Sequence, residues 1–120
     1  MKELPLKYKE RMEALLDKDF AEYEKALTEA PVRAFRVNTD KISTEDFSKI
    51  NIFSTEKIPY VENGFYLNYD KIGNHPYHHA GMIYVQEPGA MAPAECVEIK
   101  PDWICLDMCA APGGKSTQIK

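Results

Sequence analysis

The residues best suited to ligand chemistry stand together near the end of the chain. A mostly apolar run, 103–108, carries Asp107 near its end and leads into small residues that include the adjacent Gly113 and Gly114. Such a run is typical of a strand buried on both faces of a parallel sheet. Adjacent glycines allow positive φ and let a ligand come close to the backbone. Residues 116–118 are predicted to begin a helix, whose free N–H groups and dipole favour an anionic group.

Three ligand classes use a glycine turn of this kind, and the spacing separates them. A dinucleotide site needs G-x-G-x-x-G, which the stretch does not contain. A nucleoside-triphosphate loop needs G-x-x-x-x-G-K-[ST], whose second half matches from Gly114 onward. Cys109, however, stands where the first glycine belongs, and Pro112 lacks an N–H donor. S-adenosylmethionine (SAM) has a carboxylate as its only full anion and needs fewer donors, so the turn favours SAM.

Two helices are expected ahead of this site, at the start of the chain. Residues 5–16 and 20–29 carry apolar side chains at helical spacing, and residues 17–19 interrupt or cap the first helix. We interpret the aromatic side chains of the second helix as core residues. Pro31 disfavours helical backbone in the residue before it and ends the second helix.

A small α+β unit is expected next. Residues 34–37 have the composition of a strand, and residues 43–46 resemble a capping box ahead of a short helix. Residues 57–61 and 65–67 are predicted strands, joined by an Asn-Gly turn at 62–64. Strand, helix and hairpin together predict one compact unit.

The segment 68–81 has no periodicity and is predicted to be a loop. Its three histidines, His75, His78 and His79, lack cysteine neighbours and the spacing that zinc sites favour. We therefore interpret them as solvent-exposed side chains, or as part of a loop that RNA touches, rather than as metal ligands.

A strand and a helix are expected between that loop and the glycine turn. Residues 82–86 are predicted to be extended, and Pro88 suits the first turn of a helix that continues to residue 97. Met91 and Ala94 are expected to point inward, with Cys96 and Val97 as further candidates. Cys96 and Cys105 are interpreted as small buried hydrophobic residues.

Composition limits the possible classes of protein. The 120 residues include 44% hydrophobic and 28% charged residues, which is ordinary for a globular domain. No apolar run is long enough to span a bilayer. The odd number of cysteines, 3, favours a reducing, cytoplasmic setting. The net charge of −4 gives no overall electrostatic case for a nucleic-acid partner.

Three stretches carry a family resemblance. DMCAAPGGKS at 107–116 resembles the first cofactor-binding motif of the NOL1/NOP2/Sun family of RNA cytosine-5 methyltransferases. PVRAFRVNT at 31–39 and GMIYVQEPGAM at 81–91 are similar, in order and spacing, to the bacterial ribosomal-RNA members. Two departures are mild: Ser116 stands where the family mostly has threonine, and Gly89 where it often has serine.

The resemblance implies a layout and a set of site residues. Residues 1–80 would form an N-terminal helical and RNA-recognition-like module, and 81–120 the beginning of a Rossmann-like SAM-binding catalytic domain. The implied cofactor-binding residues are Cys109, Ala110, Ala111, Pro112, Gly113, Gly114 and Lys115. Arg33, Arg36 and Lys41 are candidate RNA phosphate contacts or ordinary surface charges. Only Arg36 matches the family's Arg-x-Asn pattern, and we expect it to lie apart from the glycine turn.

The implied activity is SAM-dependent methylation of C5 of cytosine in ribosomal RNA, with small-subunit RNA as the partner. We expect a monomer without metal or membrane contact. In this family a cysteine thiolate adds to C6 of the base, and the resemblance places that nucleophile beyond residue 120. Cys109 is accordingly expected to line the cofactor. The chain is interpreted as an N-terminal fragment that carries no catalytic residue and is inactive alone.

Two alternatives come from other classes. The chain could be a non-catalytic RNA-binding module in which the glycine turn is merely structural. Less favoured is a P-loop-like NTPase, for the reasons of spacing given above.

Overall fold

The computed structural model describes residues 4–54 and 56–120. They fall into two compact units, one ending at Pro31 and the other spanning Val32–Lys120. No helix in the described ranges combines the length and apolar character needed to cross a membrane.

The first unit is a pair of helices, as predicted. Helix α1 spans Leu6–Leu16, a 3-10 turn covers Asp17–Asp19, and α2 spans Phe20–Ala26. The hydroxyls of Tyr8 and Tyr23 lie 2.5 Å apart and link α1 to α2. Helix α2 ends three residues earlier than the sequence indicates.

The predicted apolar faces of these helices are only partly buried. Phe20 is buried, but Leu15 is 67% exposed and Leu27 is 44% exposed. The prediction that the aromatic side chains of α2 are core residues holds for Phe20, whereas Tyr23 is only half-buried, because two short helices offer little surface to pack against.

The second unit is built on a three-stranded antiparallel sheet in the order β2-β1-β3. Strand β1 spans Ala34–Val37, β2 spans Gly64–Tyr66, and β3 spans Ile83–Val85. The central strand has the predicted bounds. Because side chains alternate along a strand, Phe35 and Val37 lie on one face, and Ala34 and Arg36 on the other.

The first face carries an aromatic core. The Phe35 ring lies 5.5–5.8 Å from the rings of Phe47, Phe53 and Phe65, and all four side chains are buried. Phe47 comes from helix α3, Thr44–Ile50, whose first turn is capped because Ser43 Oγ accepts a hydrogen bond from the Asp46 N–H. The predicted capping motif and helix are therefore confirmed.

The predicted hairpin is only partly present. Residues 57–61 form no strand, and pairing is limited to a single bridge between Lys57 and Phe65. The Ile58 N–H still donates to the Gly64 carbonyl. Pro59 follows, and since it has no N–H it cannot extend the ladder.

The segment predicted as a loop contains a 3-10 turn, Ile72–Asn74, and a one-turn helix α4, Pro76–His79. His75 caps α4, with Nδ1 accepting from the Tyr77 N–H at 3.2 Å, and its ring packs edge-on against Phe53. The expectation of an exposed histidine is wrong for His75, whereas His78 and His79 are exposed. A helix of one turn has no periodicity to detect.

Helix α5 spans Pro88–Glu95 and begins at the predicted proline. Met91 is buried on its inner face, as expected. The helix ends before Cys96, however, and both Cys96 and Val97 are exposed, which contradicts the inward placement of these two residues. Cys105 is exposed as well, so the interpretation of Cys96 and Cys105 as buried hydrophobic residues is wrong.

The apolar run 103–108 forms no strand among the described residues. Ile104, Leu106 and Met108 are more than four-fifths exposed. A strand exists only where a neighbour accepts and donates its backbone hydrogen bonds, and neither edge of the sheet pairs with this run. The prediction of a buried strand is therefore wrong for the structure of this chain.

Candidate functional site

The glycine turn follows the apolar run and ends in a single helical turn. Gly113 has φ of +106°, a conformation that side-chain-bearing residues rarely adopt. The Thr117 N–H donates to the Gly113 carbonyl, and the Ile119 N–H to the Lys115 carbonyl. The helix predicted from residue 116 is thus present only as one turn.

Four successive N–H groups of this turn are available for a ligand. Within the described residues, the N–H groups of Gly113, Gly114, Lys115 and Ser116 donate to no protein acceptor. Successive unpaired donors in a tight turn form the kind of concavity that binds anions. The turn therefore fits a ligand that carries a carboxylate or a phosphate.

Asp107 ties the two ends of the turn together. Its Oδ1 accepts from the Cys109 N–H at 2.9 Å, and its Oδ2 accepts from Ser116 Oγ at 2.5 Å. These bonds favour the ionised carboxylate, the Ser116 hydroxyl contributing most, so the pKa of Asp107 lies below its ordinary value.

Replacing Ser116 by alanine is expected to raise the pKa of Asp107 toward its ordinary 3.8. A lowered folded-state pKa stabilises the turn above the unfolded pKa, and this contribution is lost as pH falls through the folded pKa. A carbon-detected NMR titration of the carboxyl group measures the shift. Ser48→Ala, which removes an exposed hydroxyl on α3, should leave the Asp107 pKa unchanged. An unchanged Asp107 pKa in Ser116→Ala would contradict the assignment.

Arg36 is buried beneath the turn. Its guanidinium donates through Nε to Gln86 Oε1 at 2.9 Å, and through Nη2 to the Gly114 carbonyl at 2.8 Å and to Thr117 Oγ1 at 3.0 Å. The side chain is only 5% exposed, and burial lowers its pKa. The expectation that Arg36 lies apart from the glycine turn is wrong, because β1 pairs with β3 and the turn packs on their shared face.

Two further residues of that face contact the turn, and the sequence analysis missed both. Tyr84 on β3 donates its hydroxyl to the Pro112 carbonyl at 3.1 Å, and its ring lies under the Arg36 guanidinium. Gln86 approaches Gly114 so closely that a Cβ there would stand 3.2 Å from the Gln86 side chain. Strand alternation was the available signal, since both residues share a face with Arg36 once the pairing is known.

A small cavity of about 220 Å³ lies between the turn and the segment where β3 leads into α5. On the turn side it is lined by five of the seven predicted cofactor residues: Cys109, Ala111, Pro112, Gly114 and Lys115. Ala110 and Gly113 do not line it. Cys109 and Lys115 also line a larger, mostly apolar groove of about 500 Å³ beside Trp103 and Leu106.

The other predicted RNA contacts lie near the two ends of β1. Arg33 precedes the strand and donates to the Tyr69 carbonyl and to Asp70, while Lys41 follows it and donates to the Ala80 carbonyl. Both side chains belong to exposed residues. Their role, like that of Arg36, as RNA contacts stays a prediction. Among residues 4–54 and 56–120, no three His, Cys, Asp or Glu side chains are grouped so as to hold a metal ion.

Comparison with known proteins assigns the chain to a family. Residues 4–88 match the family described as the N-terminal domain of 16S rRNA methyltransferase RsmF. The chain belongs to this family. The resemblance to bacterial ribosomal-RNA methyltransferases of the NOL1/NOP2/Sun type is thereby confirmed. The match ends before the glycine turn begins.

Similar curated proteins are named ribosomal RNA small subunit methyltransferase F. One from Shewanella sp. (strain MR-7) is 41% identical in an alignment of 95 residues that covers 72% of this chain and 20% of that protein. One from Vibrio atlanticus (strain LGP32) is 38% identical in an alignment of 104 residues that covers 78% of this chain and 22% of that protein. The chain therefore spans about a fifth of the length of these relatives.

A solved structure is also similar to this chain. The crystal structure of a methyltransferase homolog protein from Pyrococcus horikoshii superposes with a TM-score of 0.75 at 34% identity. The superposition covers 92% of this chain and 38% of that one.

Proposed function

We propose that this chain is part of a SAM-dependent methyltransferase that acts on C5 of cytosine in small-subunit ribosomal RNA. The family supports the reaction class and the RNA substrate. The observation that carries the cofactor proposal is the glycine turn, with four unused N–H donors beside a cavity whose lining on the turn side includes Ala111 and Gly114. In the experiments below, the full-length enzyme means the polypeptide of the relatives' length that contains this chain.

The residues of the turn suit the amino-acid end of SAM. The N–H groups at 113–116 would hold its carboxylate, and Ala111 and Gly114 would let the ligand lie against the backbone. When bound, SAM supplies an electrophilic methyl group. Asp107 fixes the turn through Cys109 and Ser116, which limits the ordering that binding would otherwise require.

The apolar run 103–108 supports a Rossmann-like catalytic domain. Its apolar side chains are exposed in this structure, and further strands would give them a core and give the backbone its ladder partners. We propose that the domain begins near residue 81, while β3 remains paired with β1 of the preceding module. A cytoplasmic monomer is part of the same proposal.

Methylation at C5 needs a nucleophile that this chain does not supply. C5 of cytosine is weakly nucleophilic, so a thiolate first adds to C6, and a base later removes the C5 proton. We propose that Cys109 is not this thiolate. It stands between the apolar run and the glycines, and its neighbours Met108 and Ala110 carry no base that could activate it.

The proposal is tested by covalent trapping of the full-length enzyme on RNA that carries 5-fluorocytosine. Fluorine at C5 cannot leave as a proton does, so the adduct at C6 accumulates. We expect Cys109→Ser to form the adduct, with a higher SAM requirement, and Cys96→Ser, at the exposed end of α5, to match the parent. Absence of any adduct in the parent would contradict C5 methylation. Loss of the adduct only in Cys109→Ser, with RNA and SAM binding intact, would make Cys109 the nucleophile.

A further inference from the structure

Arg36 and Gln86 are buried behind the glycine turn, and together with the exposed Thr117 they form a hydrogen-bonded cluster that has no place in the function described so far. We propose that Arg36 is a positioning residue that holds the turn in the shape that binds the carboxylate of SAM. This inference rests on the proposed function, because it takes the glycine turn as the cofactor site.

Burying the charge of Arg36 costs free energy. Its hydrogen-bond acceptors are all neutral: an amide oxygen of Gln86, the carbonyl of Gly114 and the hydroxyl of Thr117. No carboxylate in the described part of the chain forms an ion pair with it. Burying a charge is unfavourable, and apolar side chains often replace buried charges without loss of stability. The arrangement therefore points to a role beyond stability.

The bond to Gly114 acts on a donor that faces the ligand site. The Gly114 carbonyl and the Lys115 N–H belong to one peptide group, and that N–H is one of the unused donors. A charged donor on the carbonyl polarises the peptide, which strengthens its N–H as a donor to an anion. Arg36 thus holds the backbone at Gly114 in place, and it increases the affinity of the turn for a carboxylate.

Gln86 sets the orientation of the guanidinium. Its Oε1 accepts from Arg36, and its Nε2 donates to the Ala90 carbonyl in the first turns of α5. The Gln86 amide is therefore held at both ends, and it orients the planar guanidinium toward Gly114 and Thr117. Because Arg36 lies on β1, this chain of bonds connects the sheet of the N-terminal module to the cofactor turn.

The test compares two ligands that differ in the group the turn would bind. S-adenosylhomocysteine keeps the amino-acid end, whereas 5′-methylthioadenosine lacks it. In the full-length enzyme, we expect Arg36→Ala to raise the Kd of S-adenosylhomocysteine about 10- to 100-fold, as for a lost charged hydrogen bond. The Kd of 5′-methylthioadenosine should change less than about threefold, since only contacts to the amino-acid end are lost. Calorimetry provides both constants.

Two variants accompany Arg36→Ala. Arg36→Lys keeps the charge but lacks the planar, forked set of donors. Its Kd for S-adenosylhomocysteine should therefore lie between those of the parent and of Arg36→Ala. Lys49→Ala removes an exposed ion pair on α3 and should leave both constants unchanged. If Arg36→Ala does not fold, Arg36→Lys and Gln86→Leu are measured with the same two ligands, and the same selective loss is expected.

The outcomes separate this inference from the proposed function. A folded Arg36→Ala that binds S-adenosylhomocysteine like the parent overturns the positioning role alone. Equal losses for the two ligands also overturn it, since they indicate general disruption of the site. If the parent enzyme binds neither ligand, the glycine turn is not a cofactor site, and both proposals are wrong.

Discussion

Gly113→Val is expected to raise the Kd of SAM for the full-length enzyme by about 10- to 100-fold, corresponding to about 1–3 kcal/mol of backbone strain. The cause is conformational. At φ of +106° a β-branched residue is a strong outlier, although the added Cβ would find its nearest neighbours, Thr117 and Tyr84, at an ordinary 3.9 Å. The turn must therefore change shape to accept valine, and its donors move with it. Calorimetry with SAM measures the loss.

The matched control is the same substitution at Gly73. That glycine has open space around its Cβ position and no positive φ, so Gly73→Val should leave the Kd unchanged. Ser116→Ala should weaken binding less than Gly113→Val, because it removes a side chain that supports the turn without forcing the backbone. If Gly113→Val bound SAM as tightly as the parent does, the assignment of the glycine turn as the SAM site would be wrong.

Phe35→Ala is expected to lower the free energy of unfolding of the sheet-containing unit by about 3–5 kcal/mol. Phe35 has no exposed surface, and its ring contacts three other buried phenylalanine rings within 5.8 Å. Truncation removes apolar burial and leaves a cavity in the centre of the aromatic core. Urea denaturation followed by far-ultraviolet circular dichroism gives the change in midpoint.

Ile52→Ala serves as the comparison for Phe35→Ala. Ile52 is 61% exposed, and a surface truncation of this kind is expected to change stability by less than about 0.5 kcal/mol. A loss below about 1 kcal/mol for Phe35→Ala would mean that the four rings do not form the core of the unit.

Elements defined by local signals could be predicted from the sequence. The capping motif at Ser43 and the proline at the start of α5 each act within one turn of backbone, so neighbouring residues suffice to identify them. Strand β1 has the predicted bounds because its composition suits the buried centre of a sheet.

Elements that depend on a distant partner could not be predicted. The run 103–108 has the composition of a buried strand, but composition does not reveal whether a neighbouring strand is present to pair with it. The contact between Arg36 and Gly114 joins residues 78 positions apart. It follows from the pairing of β1 with β3, which no local pattern specifies. The same pairing brings Tyr84 and Gln86 to the glycine turn. The full set of site residues could therefore be identified only from the three-dimensional structure.

The most direct test of the central claim is transfer of a labelled methyl group from SAM to small-subunit ribosomal RNA by the full-length enzyme. The RNA is then digested to nucleosides, and the labelled nucleoside is identified by mass spectrometry. We predict label in 5-methylcytidine with the parent and with Gly73→Val, and a strongly reduced rate at limiting SAM with Gly113→Val. Label in another nucleoside, or an unchanged rate with Gly113→Val, would contradict the assignment of this glycine turn to cytosine C5 methylation.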